Sequence, residues 1–407
     1  MLYDIFQLQS NWLNFQRDAA IQCARWLGSV PGIESNSAYR ATAAGFEMLS
    51  AFKVSHRQPS FNIGHVSVDG QLVPVVEAVV MSTEFATLLH FRKTAVDSFR
   101  AMPKVLVVAP LSGHFSTLLR DTVRVLLRDH DVFITNWHNA RDVPRSTSTF
   151  GFSDYIDHLI QFMERLSPDL HVLAVCQPCV QVLAAVAVMA ADNNSSQPKS
   201  MTLMAGPVDI RSNPTAVNEL ALSKPLQWFE QNLISRVPWM HRGAGRRVYP
   251  GFVQLSAFMS MNVDKHKKAY ENFYQHLLKG ETDKAAVIQK FYEEYFAVLD
   301  LTAEFYLETV DIVFQRALLA KGELTHHGRP VDPGKIRRTA LLTVEAERDD
   351  ICGFGQTAAA HGLCTALPPF MKRHHLQPGA GHYGVFSGRR WETQVYPLVS
   401  NMILAAS

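Results

Sequence analysis

Two cysteines stand three residues apart in the stretch HVLAVCQPCVQVL at residues 171–183. One apolar run precedes Cys176, and another follows Cys179. A cysteine sulfur can act as a nucleophile, as half of a redox pair or as a metal ligand, and each role needs different partners. The residues around the pair and elsewhere in the chain therefore indicate whether this is a nucleophile, a redox pair or a metal site.

The zinc and dithiol alternatives depend on further cysteines. A structural zinc site needs four ligands, usually as two closely spaced pairs, and Cys352 and Cys364 are too far apart to supply the second pair. The pattern Cys-x-Pro-Cys between a strand and a helix is also typical of a redox-active dithiol. The N-terminus of the helix stabilises the thiolate form of such a cysteine. However, at least four predicted strands precede this pair, which is unlike a small thioredoxin-like domain. A thiol oxidoreductase stays an alternative and requires both Cys176 and Cys179.

A nucleophile elbow is the third alternative. In an elbow a strand turns sharply into a helix, and the nucleophile occupies the strained apex. Small residues two positions before and after it let the strand and the helix approach. Counted from Cys176, these positions are Ala174 and Pro178, whereas counted from Cys179 they are two larger glutamines. The pattern selects Cys176, although Ala-Val-Cys-Gln-Pro differs from the usual Gly-x-Ser-x-Gly.

An elbow nucleophile needs an acid after a later strand and a histidine further along the chain. Asp349 and Asp350 follow the apolar stretch TALLTVEAE at 339–347, and His382 comes later in the glycine-bracketed loop QPGAGHYGVF. Open α/β sheets place their chemistry at the carboxyl ends of strands, and glycines let a loop approach closely. We therefore predict a triad of Cys176, Asp349 and His382, with Asp350 as the alternative acid.

Each predicted residue has a chemical role. His382 would take the proton of the thiol, and Asp349 would fix the imidazole tautomer. Two backbone N–H groups are expected to bind the oxyanion that forms during acyl transfer. One is that of Gln177, directly after the nucleophile, and the other is that of Ser112 in APLSGH, with Leu111 as the alternative.

Strand and helix patterns alternate through much of the chain and predict an α/β fold with a doubly wound, mostly parallel sheet. Strands are predicted within HVSVDGQLVPVVEAVV (65–80), with a glycine turn, and at 86–93, 104–110, 131–137, 170–175, 200–206 and 339–347. The predicted helices cover 115–129, 153–166 and 180–191. Four parts are expected: an N-terminal helical extension (1–60), a first core part (61–210), a helical cap or lid insertion (211–336) and a second core part (337–407).

Composition argues against several other classes of protein. The 407 residues contain 39 Lys+Arg and 37 Asp+Glu, so no excess of positive charge favours nucleic acid. The N-terminus lacks the pattern of a secretory signal, and five sparse cysteines are typical of reduced thiols in a cytoplasmic protein. Residues 170–191 are uncharged and long enough for a bilayer, but their central polar residues favour a strand–turn–helix over a transmembrane segment.

Five sequence blocks in one order resemble the intracellular poly(3-hydroxybutyrate) depolymerases of bacteria, and the resemblance covers nearly the whole chain. The blocks are VLVVAPLSGHFSTLLRDTV (105–123), VCQPCVQVLAAVA (175–187), AGPVDIRSNPTAVNELA (205–221), TVEAERDDICGFGQTAAAHGLC (343–364) and HHLQPGAGHYGVFSG (374–388). The resemblance implies an α/β-hydrolase fold with a cysteine nucleophile. The family's triad positions fall on Cys176, Asp349 and His382.

Two further features of the acid loop bear on this resemblance. Related polyester synthases carry Asp-His-Ile where this chain has Asp349-Asp350-Ile351, which favours Asp349 over Asp350 as the acid. The chain also has Ala346 where the family pattern leads us to expect glycine. This departure from the family pattern concerns the backbone geometry of the acid loop.

The resemblance also implies a substrate and a location. The substrate would be poly(3-hydroxybutyrate) in amorphous storage granules, cleaved to oligomers and 3-hydroxybutyrate without a metal or organic cofactor. The protein would be cytoplasmic and would associate peripherally with the granule by apolar contact. The oligomeric state is left open, with a homo-oligomer among the alternatives.

Two other functions are compatible with the same motifs. A polyhydroxyalkanoate synthase-like acyltransferase also uses a cysteine elbow, but synthases tend to have Gly-x-Cys-x-Gly-Gly where this chain has Ala174 and Pro178. A catalytically silent granule-coat protein would bind granules without releasing acid. Release of 3-hydroxybutyrate from granules, compared with release of coenzyme A from 3-hydroxybutyryl-CoA, distinguishes depolymerase from synthase.

Overall fold

The computed structural model describes residues 2–29, 37–51, 53–94, 102–146, 149–261 and 263–407 of the chain. Two helices come first, α1 (Leu2–Gly28) and α2 (Ser37–Ala51). The elements that follow in the first half are β1 (His65–Val68), β2 (Gln71–Ser82), β3 (Ala86–Lys93), β4 (Lys104–Val108), α3 (Arg120–Leu126), β5 (Asp131–Trp137), α4 (Phe152–Leu166), β6 (Leu170–Val175), α5 (Cys179–Ala191) and β7 (Ser200–Met204).

The long segment between β7 and the next core strand is mainly helical. Its elements are α6 (Ala216–Ser223), α7 (Leu226–Leu233), β8 (Ser235–Arg236), β9 (Arg247–Tyr249), α8 (Gly251–Met261), α9 (Val263–Leu278), α10 (Thr282–Tyr295), β10 (Leu301–Thr302), α11 (Ala303–Thr309), a π-helical segment (Val310–Gln315), α12 (Leu318–Lys321), β11 (Thr325–His326) and β12 (Arg329–Pro330). Strands β8, β9 and β10 form a small separate sheet.

The chain then returns to the core. The final elements are β13 (Ala340–Ala346), α13 (Ala360–Leu363), β14 (Lys372–Gln377), α14 (Gly388–Arg390) and α15 (Tyr396–Ala406). Strand β14, KRHHLQ, has a polar sequence that apolar patterning does not identify as a strand. It lies at the edge of the sheet, where only one neighbouring strand covers it.

The central sheet has nine strands in the order β1-β2-β3-β5-β4-β6-β7-β13-β14. All pairs from β5 to β14 are parallel, whereas β1, β2, β3 and β5 pair antiparallel. The doubly wound, mostly parallel α/β sheet is therefore confirmed, and the fold is that of an α/β-hydrolase. Because β4, β6 and β13 run in the same direction, the loops after their carboxyl ends meet at one edge.

Strand β4 shows how the sheet separates two apolar cores. Leu106 and Val108 belong to the core on one face, and Val105 and Val107 belong to the core on the other. All four side chains are fully buried. A strand covered on both faces needs apolar residues at every position, which explains the continuous run KVLVV.

The predicted helix at 115–129 and the predicted helical insertion (211–336) differ in detail from the structure. The stretch 115–129 begins as a 3-10 turn at Ser116–Leu119, and only the following α3 is α-helical. The stretch after α10 is interrupted because Val298 forms a β-bridge with His114 and Leu301–Thr302 pairs as β10. Tertiary pairing therefore overrides local helical spacing at this point.

Residues 170–191, the uncharged stretch, form β6 and α5 with the turn between them. Among the described residues, no helix combines the length and apolar character needed to cross a bilayer. The division into extension, core parts and cap stays a prediction, because the elements alone do not define independent domains.

A buried hydrogen-bonded cluster attaches α1 to the body of the protein. The hydroxyl of Tyr3 donates to Oδ2 of Asp300 at 2.5 Å, and the backbone N–H of Gly251 donates to Oδ1 at 2.9 Å. Both side chains of the Tyr3–Asp300 pair are fully buried. Burial raises the pKa of Asp300, whereas the hydrogen bonds from Tyr3 and Gly251 lower it. Burial is the larger effect, and the resulting pKa is about 6.

We expect Tyr3→Phe to destabilise the protein more at neutral pH than at acidic pH. The Tyr3 hydrogen bond lowers the pKa of Asp300, so its removal costs more when Asp300 is deprotonated, above about pH 6. The free energy of unfolding should fall by about 1.5–3 kcal/mol at pH 7.5 and by less at pH 5. Urea unfolding across this range measures it, with Tyr274→Phe as the control. An equal loss at all pH values would contradict this account.

Candidate active site

The chain reverses direction between β6 and α5, and Cys176 occupies the apex of this turn. Its φ angle of 66° lies in the left-handed region, which is strained for a residue with a side chain. The backbone N–H of Cys176 donates to the carbonyl of Met204 at 2.7 Å, and that of Cys179 donates to the carbonyl of Cys176 at 3.1 Å. The turn therefore has the backbone of a nucleophile elbow.

The loop after β7 packs directly against this turn at Gly206. A Cβ atom at Gly206 would lie 2.3 Å from Sγ of Cys179 and 2.7 Å from the carbonyl oxygen of Cys176. Real Cβ atoms do not approach that closely, so only glycine fits. The absence of a side chain at Gly206 lets two neighbouring strands end side by side at the site.

Cys179 lies beneath the turn and is fully buried. Its thiol contacts the carbonyl oxygens of Ala174 at 3.5 Å and Met204 at 3.6 Å. Burial raises the pKa of Cys179 well above its usual value, so its thiol stays protonated. All five cysteines are free thiols. Cys179 therefore has the environment of a packed helix residue, whereas Cys176 reaches the cavity described below.

The structure brings His382 and Asp349 into direct contact. Nδ1–H of His382 donates to Oδ2 of Asp349 at 2.8 Å. The other carboxylate oxygen, Oδ1, accepts the backbone N–H groups of Ile351 and Cys352, each at 2.9 Å. Both side chains are nearly inaccessible, with 5% of His382 and 1% of Asp349 exposed. Three hydrogen bonds hold this carboxylate in place and orient the imidazole.

Cys176 and Asp349 both affect the protonation of His382. Burial by itself lowers the pKa of His382, but the negative charges of Asp349 and of an ionised Cys176, together with the hydrogen bond to Asp349, outweigh it. The net effect raises the pKa of His382 well above its usual value. Cys176 and His382 thus line the same cavity, and Asp349 is hydrogen-bonded to His382.

The alternative acid, Asp350, points elsewhere. Its side chain is 41% exposed, and Oδ2 lies 3.6 Å from Nζ of Lys265 on α9. The structure therefore places Asp349, and not Asp350, against the imidazole. Ala346 is the buried last residue of β13 and has an extended backbone, so this position does not require glycine.

The two predicted oxyanion donors line the same cavity as Cys176. Within the described parts of the chain, no protein group accepts a hydrogen bond from the backbone N–H of Gln177 or Ser112, nor from that of Leu111. The Ser112 loop turns at Gly113, where φ is 98° and a side chain would meet Gln254. The structure leaves Ser112 and Leu111 as alternatives for the second donor.

Cys176 and His382 open into a cavity of about 470 Å³. Its far walls come from residues between 211 and 336, and most of them are large and apolar. Examples are Trp228, Phe229, Tyr249, Phe305 and Phe314. Helical spacing alone did not identify these residues as site residues, because the same aromatic pattern also fits an ordinary helical core.

Two residues beside the predicted triad also line the cavity and were not identified from the sequence. His114 is buried, and burial lowers its pKa to about 4, so it is neutral at physiological pH. Its Nε2 hydrogen-bonds with the carbonyl of Tyr295 at 3.1 Å. Tyr383 follows His382 directly and packs on Phe386. Their positions within the APLSGH and GAGHYG motifs are the signal that could have found them.

We expect Asp349→Asn to lower the pKa of His382, because it removes the carboxylate that favours the imidazolium. The matched control is Asp350→Asn one residue later, which should leave the His382 titration close to that of the wild type. NMR titration of the imidazole in both variants measures the effect. A larger shift in Asp350→Asn than in Asp349→Asn would contradict the geometry described here.

Similar solved structures include a putative lipase from Acinetobacter baumannii AYE (13% identity, 81% of this chain and 93% of that chain, TM-score 0.44) and 2-hydroxy-6-oxo-6-phenylhexa-2,4-dienoate hydrolase from Rhodococcus sp. strain RHA1 (10% identity, 82% and 99%, TM-score 0.45). A search of curated protein sequences gives no significant match. Residues 205–407, which include Asp349 and His382, match the family model described as PHB de-polymerase C-terminus. The nine-stranded, mostly parallel sheet is that of an α/β-hydrolase, and the chain belongs to the PHB depolymerase family.

Proposed function

We propose that this protein hydrolyses the ester bonds of poly(3-hydroxybutyrate) through a triad of Cys176, His382 and Asp349. The observation that carries the proposal is a cavity lined by both the elbow residue Cys176 and His382, whose imidazole is hydrogen-bonded to Asp349, in a chain of the PHB depolymerase family. The products would be 3-hydroxybutyrate oligomers and monomer. No metal or organic cofactor takes part in this mechanism.

In the first half-reaction, Nε2 of His382 accepts the thiol proton of Cys176, and the sulfur attacks the ester carbonyl carbon. The backbone N–H groups of Gln177 and Ser112 donate to the oxyanion of the tetrahedral intermediate. The C–O bond then breaks, and His382 returns the proton to the leaving hydroxyl group. Asp349 keeps the imidazole in the Nδ1–H tautomer throughout.

In the second half-reaction, water replaces the departed alcohol. His382 takes a proton from this water, and the resulting hydroxide attacks the thioester carbonyl. The second tetrahedral intermediate uses the same two N–H donors. Its C–S bond breaks, the sulfur recovers its proton from His382, and the carboxylic acid product leaves.

The cavity supports an aliphatic polyester as the substrate. Its volume of about 470 Å³ and its mostly apolar walls suit a short segment of a methyl-bearing chain. A polyester repeat also contains no charge, and the polar groups near Cys176 are concentrated at the elbow and the Ser112 loop. A single strand of mobile, amorphous polymer would enter such a site, whereas a packed crystalline chain would not.

We expect brief exposure to 3-hydroxybutyrate oligomers to give a hydroxybutyryl adduct on the wild type and on Cys179→Ala but not on Cys176→Ala. Intact-mass analysis detects the adduct. Hydrolysis should fall by roughly four or more orders of magnitude in Cys176→Ala. Cys179→Ala should retain it, because this buried thiol only packs beneath the turn.

Three other results, from adduct mass, activity and coenzyme A release, would count against the proposal. An adduct that persists in Cys176→Ala would mean that another residue is the nucleophile. Loss of activity in both cysteine variants, with folding intact by circular dichroism, would favour a dithiol enzyme. Transfer from 3-hydroxybutyryl-CoA without release of acid from granules would favour a synthase.

A stripe of apolar residues on α1 supports peripheral association with a granule. At about 100° per residue, Ile5, Leu8, Trp12, Phe15 and Trp26 fall within an arc of about 80°. All five side chains are exposed, and 75% of Phe15 and 70% of Trp26 are accessible. Tyr3 and Phe6, on the opposite face, attach the helix to the protein body. We call these five exposed residues the α1 stripe.

The character of the helix favours a neutral polymer over an anionic membrane. Helix α1 carries two acidic and two basic residues, and most of its other polar residues are Asn or Gln. Helices that bind anionic lipid surfaces are rich in Lys and Arg, which this one is not. Large exposed apolar side chains without net charge suit a hydrophobic polyester surface. The proposal places the protein in the cytoplasm at such granules.

We expect the double variant Trp12→Ser, Phe15→Ser to bind amorphous poly(3-hydroxybutyrate) granules at least about tenfold more weakly, since losing about 1.4 kcal/mol is sufficient for that change. Its hydrolysis of soluble oligomers should stay unchanged. Trp239→Ser is the matched control, because it also removes an exposed tryptophan, 86% accessible, outside α1. Co-sedimentation measures binding. Unchanged binding by the double variant would exclude the α1 stripe as the contact surface.

A further inference from the structure

A cluster of two histidines and an aspartate lies outside the cavity of Cys176. Nε2 of His326 is 3.0 Å from Oδ1 of Asp157, and Nε2 of His327 is 2.8 Å from Oδ2. Among the described residues, this is the one group of three His, Cys, Asp or Glu side chains whose ligand atoms lie within 4.8 Å of one another. Neither the triad nor the oxyanion donors belong to it.

The backbone holds the two histidines side by side. Strands β11 and β12 pair at His326–Arg329, so His327 and Gly328 form a two-residue hairpin turn. Their φ angles, 48° and 75°, are both positive, as in a type I′ turn. Asn or Gly is the usual residue at the first of these positions. A histidine at this position has a strained backbone, and such strain is often found where a side chain has a functional role.

Neighbouring contacts hold the hairpin over α4, which carries Asp157. Arg329 donates two hydrogen bonds to Asp192 at the end of α5, at 2.8 and 3.0 Å. The backbone N–H of Val331 donates to the carbonyl of Leu324 at 2.9 Å and closes the base of the hairpin. The three ligand side chains are therefore brought together before any ligand binds.

We propose that Asp157, His326 and His327 bind one zinc ion, or a similar divalent transition metal, as a site separate from catalysis. Two imidazole nitrogens and one carboxylate oxygen are a ligand set that Zn²⁺ favours. A tetrahedral site would need the ligand atoms about 3.3 Å apart. The two His–Asp contacts, 3.0 and 2.8 Å, are slightly shorter, and the three ligand atoms lie within 4.8 Å of one another, so small shifts would admit a metal ion. Each ring then carries its proton on Nδ1, and Nε2 binds the metal in place of its hydrogen bond to Asp157.

The exposure of the three residues indicates what kind of site this is. The side chain of His326 is 3% exposed, that of Asp157 34% and that of His327 60%. The metal would thus have one side open to solvent, with water as the fourth ligand. It would link the hairpin that leads into β13 to helix α4 and stabilise the fold, and would not contact the substrate cavity.

The test uses the full-length chain without an affinity tag, in the Cys176→Ala background so that the reactive thiol does not bind zinc. Isothermal titration with zinc alone at pH 7.5 should give one ion per chain. Zinc should raise the melting temperature by about 2 °C or more relative to chelator-treated protein. The His65→Ala variant, which removes an exposed histidine elsewhere, should behave like its parent.

Two variants assign the ion to this cluster. His327→Asn removes the ligand and keeps a residue suited to the left-handed turn position, so the metal-free protein should be at least as stable as its parent. Asp157→Asn removes the carboxylate. Both should bind zinc at least about 100-fold more weakly and lose the thermal shift. Unchanged binding in both variants, or no zinc binding by the parent, would overturn the proposal and leave Asp157 as a hydrogen-bond partner only.

Discussion

The candidate active site depends on one strained residue. Cys176 has a left-handed backbone because the chain must pass from β6 to α5 within a few residues, and the hydrogen bond to Met204 holds it there. At this apex the side chain of Cys176 reaches the cavity, and the next residue, Gln177, lines the same space. Gly206 makes the turn sterically feasible, since any larger residue would collide with it. Local strain is tolerated because the fully buried sheet around it supplies the compensating stability.

A second constraint joins the site to the rest of the molecule. The backbone N–H of Leu299 donates to the carbonyl of Gly113 at 2.9 Å, so the segment after α10 is attached to the loop that carries Ser112. One residue later, Asp300 holds Tyr3 of α1 and the start of α8 in the same buried cluster. The N-terminal helix, the long helical segment and the Ser112 loop therefore meet within a few residues. This arrangement connects the proposed polymer-binding helix to the proposed catalytic loop through direct contacts.

Most of the core could be predicted from the sequence because parallel strands covered on both faces need unbroken apolar runs, as in KVLVV and LHVLAV. Cys176 could be selected because only its flanking residues are small enough for a sharp turn. Strand β14 could not be predicted, since an edge strand with the sequence KRHHLQ carries no apolar pattern. The end of the helical pattern after α10 could not be predicted from the sequence either, because it arises from a β-bridge between Val298 and His114, which are far apart in the chain.

The sequence by itself determined the strand–helix alternation, the order of Cys176, Asp349 and His382 along the chain, and the small residues at the turn. These follow from local spacing and from side-chain size. The resemblance favoured Asp349 over Asp350, but only the tertiary structure placed Asp349 against the imidazole of His382 and Asp350 near Lys265, because the path of the acid loop sets the directions of two adjacent side chains. It also brought Asp157 next to His326 and His327, a contact over about 170 residues. Contacts at that separation depend on how the sheet and its helices pack, which no local pattern encodes.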